Sequence, residues 1–239
     1  MIIEELTMPA FIKALTKTRT IIVPFGAVEE HGQHLPLGTD TIHSYELSKE
    51  TSKYRPLFVA PPVWYGHCRS TSQHSGTITI SGDTLKRLTV ELATSLYNQG
   101  LRNFILLSGH AGGTHMAALI DAGEIILASL EKSRVAVLSI LDLIAEIPEG
   151  TIETENDSHA GEVETSLMLH LRPSQINGTS PEEYPSFPTS ILARDKKKFW
   201  PGGVWGDPSK ASSKKGETLL QKEVEALLRL VNRIESFDG

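Results

Sequence analysis

The feature that most constrains this chain is an alternation in which short apolar, β-branched runs take turns with longer amphipathic stretches. The runs lie at residues 19–26 (RTIIVPFG), 57–62 (LFVAPP), 103–107 (NFILL) and 134–141 (RVAVLSIL). Each is short enough for a buried strand, and each is bounded by Gly, Pro or polar residues. Between them, residues 41–53 and 114–130 read as helices, and Asp83 is placed to cap a third carrying Leu85, Leu88, Leu92 and Leu96 on one face. Strand and helix in strict alternation predict an α/β fold, a three-layer α/β/α sandwich around a largely parallel sheet. The pattern loosens after residue 146 and returns in a helix over 159–171, with Val163, Leu167 and His170 on one face. A last helix is expected over 211–234 from the spacing of Leu220, Val224, Leu227, Val231 and Ile234. The 172–208 segment, rich in Pro and Gly and centred on WPGGVWG, predicts a long working loop. Neither a repeat nor a low-complexity tract divides the chain, so residues 1–239 are expected to form a single domain.

Composition narrows the functions open to such a fold. With 23 basic against 29 acidic side chains and a formal charge of −6, the chain has no electrostatic footprint for nucleic acid. No run approaches the roughly 20 apolar residues of a bilayer crossing, so no membrane association is expected. The single cysteine, Cys68, allows no internal disulfide, and the start MIIEE lacks the features of a signal peptide, so the expected location is the cytoplasm. Nine histidines are the more telling count, because imidazole binds metals and moves protons near neutral pH.

Ligands of parallel α/β sheets bind beyond the carboxyl ends of the strands, and three polar clusters fall there. The first, EEHGQHLPLGTD over residues 29–40, follows the first strand. In an extended segment Glu29 and His31 point the same way, and Gly32, Pro36 and Gly38 let the chain turn so that Asp40, also a candidate N-cap, reaches the same point. The second is His110 in the SGHAGG loop after the third strand; this loop lacks the Lys and Ser/Thr of a phosphate-binding loop. The third is DSHAGEVE over 157–164, where a helix beginning near His159 would carry Glu164 about one and a half turns on. Two imidazoles and three carboxylates in one cleft suit zinc, manganese or iron better than calcium, and an aspartate with two oxygens can bridge a metal pair.

The string GAVEEHGQHLPLGTD resembles the G-S-x-E-Q-H-G-x-H-L-P-x-x-x-D signature of the creatininase (creatinine amidohydrolase) family, with Ala27 for the usual Ser and Glu30 for the usual Gln. Further blocks follow in order: Tyr65-Gly66 with HSGTI at 74–78, SGHAGG at 108–113, HAGEVETS at 159–166, and Gly206-Asp207-Pro208 with Ala211. The resemblance implies an α/β hydrolase of cyclic or linear amides with two divalent metal ions per chain, often a homohexamer. By position, Glu29 and His110 would hold one metal, His31 a second, and Asp40 would bridge both. Creatininase places a glutamate two residues after the histidine of the glycine loop, where this chain has Gly112, and Glu164 is the candidate for the missing carboxylate. His159 matches the histidine that moves a proton to the leaving nitrogen. His34 and His74 are candidate orienters of ligands or substrate contacts, and Trp200 and Trp205 are expected to serve loop or subunit packing.

The expected chemistry is hydrolysis of a C–N amide bond in a small molecule or short peptide by water activated between two metals. The Gly112 departure counts against creatinine itself, leaving formamide deformylases and mycofactocin-type peptidases as the resembling branches. The rival reading is a noncatalytic metal-binding or assembly protein on the same fold. Retention of the metal ligands together with a proton donor argues against it.

Overall fold

Strand residues alternate between two apolar layers, which is the pattern a sheet shows when both faces are covered. The computed structural model describes residues 1–148 and 150–238. β1 (Thr20–Phe25), β2 (Phe58–Val59), β3 (Asn103–Ser108) and β4 (Arg134–Ser139) pair in parallel in the order β2-β1-β3-β4. Ile22, Val59, Ile105 and Leu107 face a layer formed by α2 (Thr39–Tyr54), α5 (Ile140–Ile144), α6 (Glu162–Leu171) and α7 (Ser213–Ser236), where Leu47, Leu143, Leu167, Leu219 and Leu227 are buried. Ile21, Val23, Phe58, Phe104 and Leu106 face the other layer, α1 (Met8–Leu15), α3 (Gly82–Asn98) and α4 (Gly113–Ser129), with Ala14, Leu85, Leu119 and Ile126. The molecule is the expected three-layer α/β/α sandwich. Phe25 lies level with Ser108, and Ser108 with Ser139, so the loops that leave these three strands start from one edge.

Several local expectations are corrected by capping chemistry. The third helix is capped by Ser81 rather than Asp83, because the Ser81 hydroxyl accepts the Thr84 N–H at 3.1 Å. The fourth strand stops at Ser139, where the Asp142 carboxylate accepts the Ser139 N–H at 2.7 Å and starts α5. α2 begins at Thr39 after Gly38, so Asp40 sits inside the first turn without capping it. α6 begins at Glu162, three residues later than its apolar pattern suggests, because the Asp157 carboxylate accepts the N–H groups of Glu162 and Val163 at 2.8 and 2.9 Å. His159 is thereby left in an extended segment that pairs with Trp205, and His170 is exposed rather than part of the buried face. The 172–208 loop contains a 3₁₀ turn, Pro173–Gln175, and returns to this edge of the sheet at Trp200 and Trp205.

Candidate metal centre and active site

The loop leaving β1 carries Glu29 and His31, and the first turn of α2 carries Asp40. His110 follows β3, and Glu164 stands in the first turn of α6. All five are at most 7% exposed and meet at the carboxyl edge of the sheet. Asp40 stands between two imidazoles, with Oδ1 at 3.0 Å from His31 Nε2 and Oδ2 at 3.3 Å from His110 Nδ1. Glu29 Oε2 approaches the same His110 nitrogen at 2.7 Å, and Glu164 Oε2 the same His31 nitrogen at 3.6 Å. Two donor groups result, Glu29/Asp40/His110 and His31/Asp40/Glu164, and they share Asp40.

The donor atoms are arranged for a cation. His31 Nδ1 donates to the Glu29 carbonyl at 3.1 Å, so Nε2 is the nitrogen turned to the cluster. It faces two carboxylates, an arrangement satisfied only when a proton or a metal lies between them. Glu29 Oε2 and Asp40 Oδ2 are buried and, apart from the His110 Nδ1 that both face, have no hydrogen-bond partner among the described residues. Since buried polar atoms are normally paired, these orphaned atoms and the mixed imidazole–carboxylate donor set fit a divalent ion of the zinc or manganese type.

Electrostatics point the same way. Burial alone would push the His31 and His110 pKa values down; Asp40 and Glu164 outweigh it at His31, Glu29 and Asp40 at His110, and both rings are held well above the ordinary histidine value. Burial would likewise raise the three carboxylates. The imidazoles outweigh it, keeping Glu29, Asp40 and Glu164 below their usual range. The cluster thus keeps its carboxylates ionised, and an ion bound there would take the place of the imidazole protons.

Local sequence explains how the parts approach so closely. A Cβ on Gly109 would lie 1.9 Å from the Asp40 carbonyl oxygen, so only glycine lets the β3 loop meet the start of α2. A Cβ on Gly112 would lie 2.5 Å from His110 Nε2, so with this loop conformation no acidic side chain fits at 112. His115, in α4, steadies the same loop. Its Nδ1 accepts the His67 N–H at 3.1 Å and its Nε2 donates to Ser108 Oγ at 3.0 Å, a neutral tautomer consistent with a pKa pushed down to about 3 by burial and then by His110.

A cavity of about 200 Å³ opens onto the cluster and is lined by Glu29, Asp40, His110, His159, Glu164 and Trp200, among others. His159 stacks on His31 with ring centroids 4.2 Å apart and donates from Nε2 to the Glu30 carbonyl at 2.8 Å. Burial and His31 would lower its pKa, but Glu30 and the nearby carboxylates outweigh them and raise it. Trp200 packs edge-on against Phe187, Trp205 and His159, the last at 5.1 Å, and both tryptophans also line the cavity.

His34 and His74 lie outside the cavity lining. His34 bonds Ser180 and Thr165 at 2.9 and 2.8 Å, and burial, then His31, pushes its pKa down to about 4. This ring therefore supports α6 beside Glu164. His74 donates from Nε2 to the Trp200 carbonyl at 2.8 Å and so holds the returning loop. Sequence reasoning did not single out Cys68, whose donor atom lies within 4.8 Å of those of Glu29 and His110, nor Arg69 and Ser70 at the cavity wall. No spacing pattern marks these three; their position one loop away from Glu29 emerges only in the fold.

A parallel α/β sheet whose carboxyl edge gathers such a donor cluster has the architecture of a metal-dependent hydrolase. The chain belongs to the creatininase family: the profile of creatinine amidohydrolase matches residues 4–231. It is 27% identical over 227 residues to the mycofactocin precursor peptide peptidase of Mycolicibacterium smegmatis, covering 89% of this chain and 84% of that protein. It is 26% identical over 227 residues to the creatinine amidohydrolase of Pseudomonas putida, covering 87% and 86%. The fold superposes on a manganese form of creatininase with a TM-score of 0.86 at 24% identity, covering 100% of this chain and 99% of that one. Among the described residues, no helix is long and apolar enough to cross a membrane.

Proposed function

We propose that this creatininase-family protein is an amidohydrolase that uses two divalent metal ions to hydrolyse a C–N amide bond in a small molecule or short peptide. Glu29, Asp40 and His110 would hold one ion, and His31, Asp40 and Glu164 the other. The observation that carries the reading is Asp40, whose two oxygens each face a different imidazole, 3.0 and 3.3 Å away. Bound there, divalent ions would lower the pKa of a water and polarise the scissile carbonyl.

The chain's own residues supply the rest. Glu29, Asp40 and Glu164 set the ligand charge, and the Glu29 carbonyl orients the His31 ring. His159 has its Nε2 committed to the Glu30 carbonyl, so Nδ1 is the nitrogen left to pass a proton to the departing amine, which leaves poorly as an anion. Trp200 and Trp205 form part of the cavity wall around the cluster. This chain carries Gly112 where a creatininase has the glutamate after its loop histidine, which favours the deformylase or peptidase branch over creatinine as substrate.

The test is metal content per chain by elemental analysis, on protein purified without chelator, beside turnover of amides, formamides and short peptides. The expected result is about two equivalents in the wild type, a sharp fall in Asp40→Ala, and full metal with abolished turnover in His159→Ala. Absence of bound metal, with none taken up on adding zinc, manganese or iron, refutes the mechanism and leaves the noncatalytic scaffold.

A further inference from the structure

A second cavity, of about 520 Å³, adjoins the metal-site cavity, and the two share Arg69 and Ser70 in their walls. Its remaining walls are Phe187, Pro188 and residues 190–193 with Lys196, all from the long loop. Ile191 and Leu192 stand 70% and 84% exposed, large apolar side chains with nothing covering them.

Its cations are equally unpartnered. Among the described residues no carboxylate lies within 4.0 Å of the Arg69 or Lys196 side chain, whereas ten other basic side chains are paired, among them Lys49, Arg172, Lys214 and Lys222. Lys196 Nζ instead donates to the Arg69 backbone carbonyl, and its N–H donates to Gln73 Oε1 at 2.7 Å, so the two basic residues are tied into one wall. Burial, and then the Arg69 charge, lowers the Lys196 pKa, which is the signature of a cation beside another cation with no anion near. Residues 194–198 add Arg194, Lys197 and Lys198 against a single Asp195, a local excess of positive charge in a chain whose net charge is −6.

We propose that this second cavity is a substrate subsite in which Arg69 and Lys196 bind a carboxylate and the apolar wall takes an aliphatic side chain, so that the preferred substrate is an elongated, anionic amide. The inference rests on the amidohydrolase reading and adds its substrate class. Guanidinium is suited to this role because its planar fork matches a carboxylate, and Arg69 lies in the wall common to both cavities, so the anion it holds belongs to the same molecule whose amide faces the metals. A compact substrate would fill only the smaller cavity and leave both cations unused.

The carboxylate could sit on either side of the scissile bond, and sulfonamide probes separate the two cases because their S–N bond stands in for the amide without being a carboxamide. The metal-loaded protein is titrated calorimetrically with N-methanesulfonyl-leucine (carboxylate on the amine side), carboxymethanesulfonyl-isopentylamine (carboxylate on the acyl side) and the neutral N-methanesulfonyl-isopentylamine. One of the two acids is expected to bind at least about tenfold more tightly than the neutral probe, the scale of one charge-assisted hydrogen bond. Arg69→Gln and Lys196→Gln each abolish that preference, whereas Lys198→Gln, the same charge change on an exposed neighbour, leaves it within about twofold. A preference that survives Arg69→Gln reports carboxylate on metal and overturns the subsite, as does equal binding of all three probes. Hydrolysis of neutral amides with equal probe binding would sink the subsite and keep the hydrolase; an Arg69-dependent preference in a protein without metal or turnover would do the reverse.

Discussion

Glu223→Leu tests whether the helix that carries Asp40 is held by a buried ion pair. His43 lies one turn after Asp40 on α2, and its Nε2 is 2.8 and 3.0 Å from the two oxygens of Glu223 on α7. His43 is 1% exposed and Glu223 is completely buried. Burial would lower the His43 pKa, but Glu223 outweighs it and raises it. Breaking such a pair by removing one partner costs about 3–5 kcal/mol; because a stranded imidazole can shed its proton, the lower end, about 3 kcal/mol, applies. For a chain of this size that corresponds to a fall in Tm of about 6–12 °C. His43 Nδ1 already lacks a partner, so the variant leaves the whole ring unsatisfied, while His43→Leu/Glu223→Leu removes both polar groups and should recover most of the loss. The sign of the pH dependence follows from the raised folded-state pKa. The pair's contribution is complete below the unfolded histidine pKa of about 6.5 and fades as pH rises through the folded value, so the wild-type advantage over Glu223→Leu is largest at about pH 6 and narrows toward pH 9. Scanning calorimetry of the metal-loaded proteins at both pH values measures it. A single variant within about 1 kcal/mol of wild type, a double variant no better than the single, or a gap that widens with pH would refute the pair as a structural tie.

Three further outcomes are expected. Glu164→Gln should lower metal content from about two equivalents toward one, read by elemental analysis, because the His31 group loses a ligand while the Glu29/Asp40/His110 group keeps its own. Gly112→Glu should not act as a second carboxylate donor: its Cβ falls 2.5 Å from His110 Nε2, so the loop must shift and metal affinity should drop about tenfold or more in competition with a chelator. Asp157 is pushed up to about 6, by burial working against the N–H bonds from Val163 and Glu162. Its folded value exceeds the unfolded one, so its contribution is present at low pH and is lost as pH rises through about 6, a change of up to about 3 kcal/mol. Urea unfolding at about pH 4.5 and pH 7 should show Asp157→Asn gaining on wild type between them, and parallel curves would contradict the assignment.

The layers were legible because strands buried on both faces read as unbroken apolar runs, and Ile21 to Phe25 and Phe104 to Leu107 contain no polar residue to divide them. The first cluster was legible for a related reason: Glu29, His31 and Asp40 come from one contiguous segment, where the period of an extended chain and a single turn decide the geometry. What sequence periodicity could not resolve was where helices begin. Val163 and Leu167 carry the same spacing whether α6 starts at 159 or at 162, and only the carboxylate of Asp157, reaching Glu162 N and Val163 N, decides. Cys68 and Arg69 were out of reach altogether, since their neighbours in space, Glu29 and Lys196, are distant along the chain and no repeat links them.

If Glu164 is the metal ligand proposed above, Gly112 opens the site without removing a donor. A carboxylate rising from the glycine loop would stand beside His110 on the same wall as Ala111 and Gly113; Glu164 instead approaches from α6 and meets His31 at 3.6 Å. On the proposed metal assignment the donor comes from α6 and the loop side is left bare, and a Cβ built on Gly113 meets nothing within 4 Å. The open space therefore lies next to the catalytic cluster, in the cavity whose wall continues through Arg69 and Ser70 into the larger one. On the proposed reading, the departure from creatininase at Gly112 and the room for a longer substrate have the same structural origin.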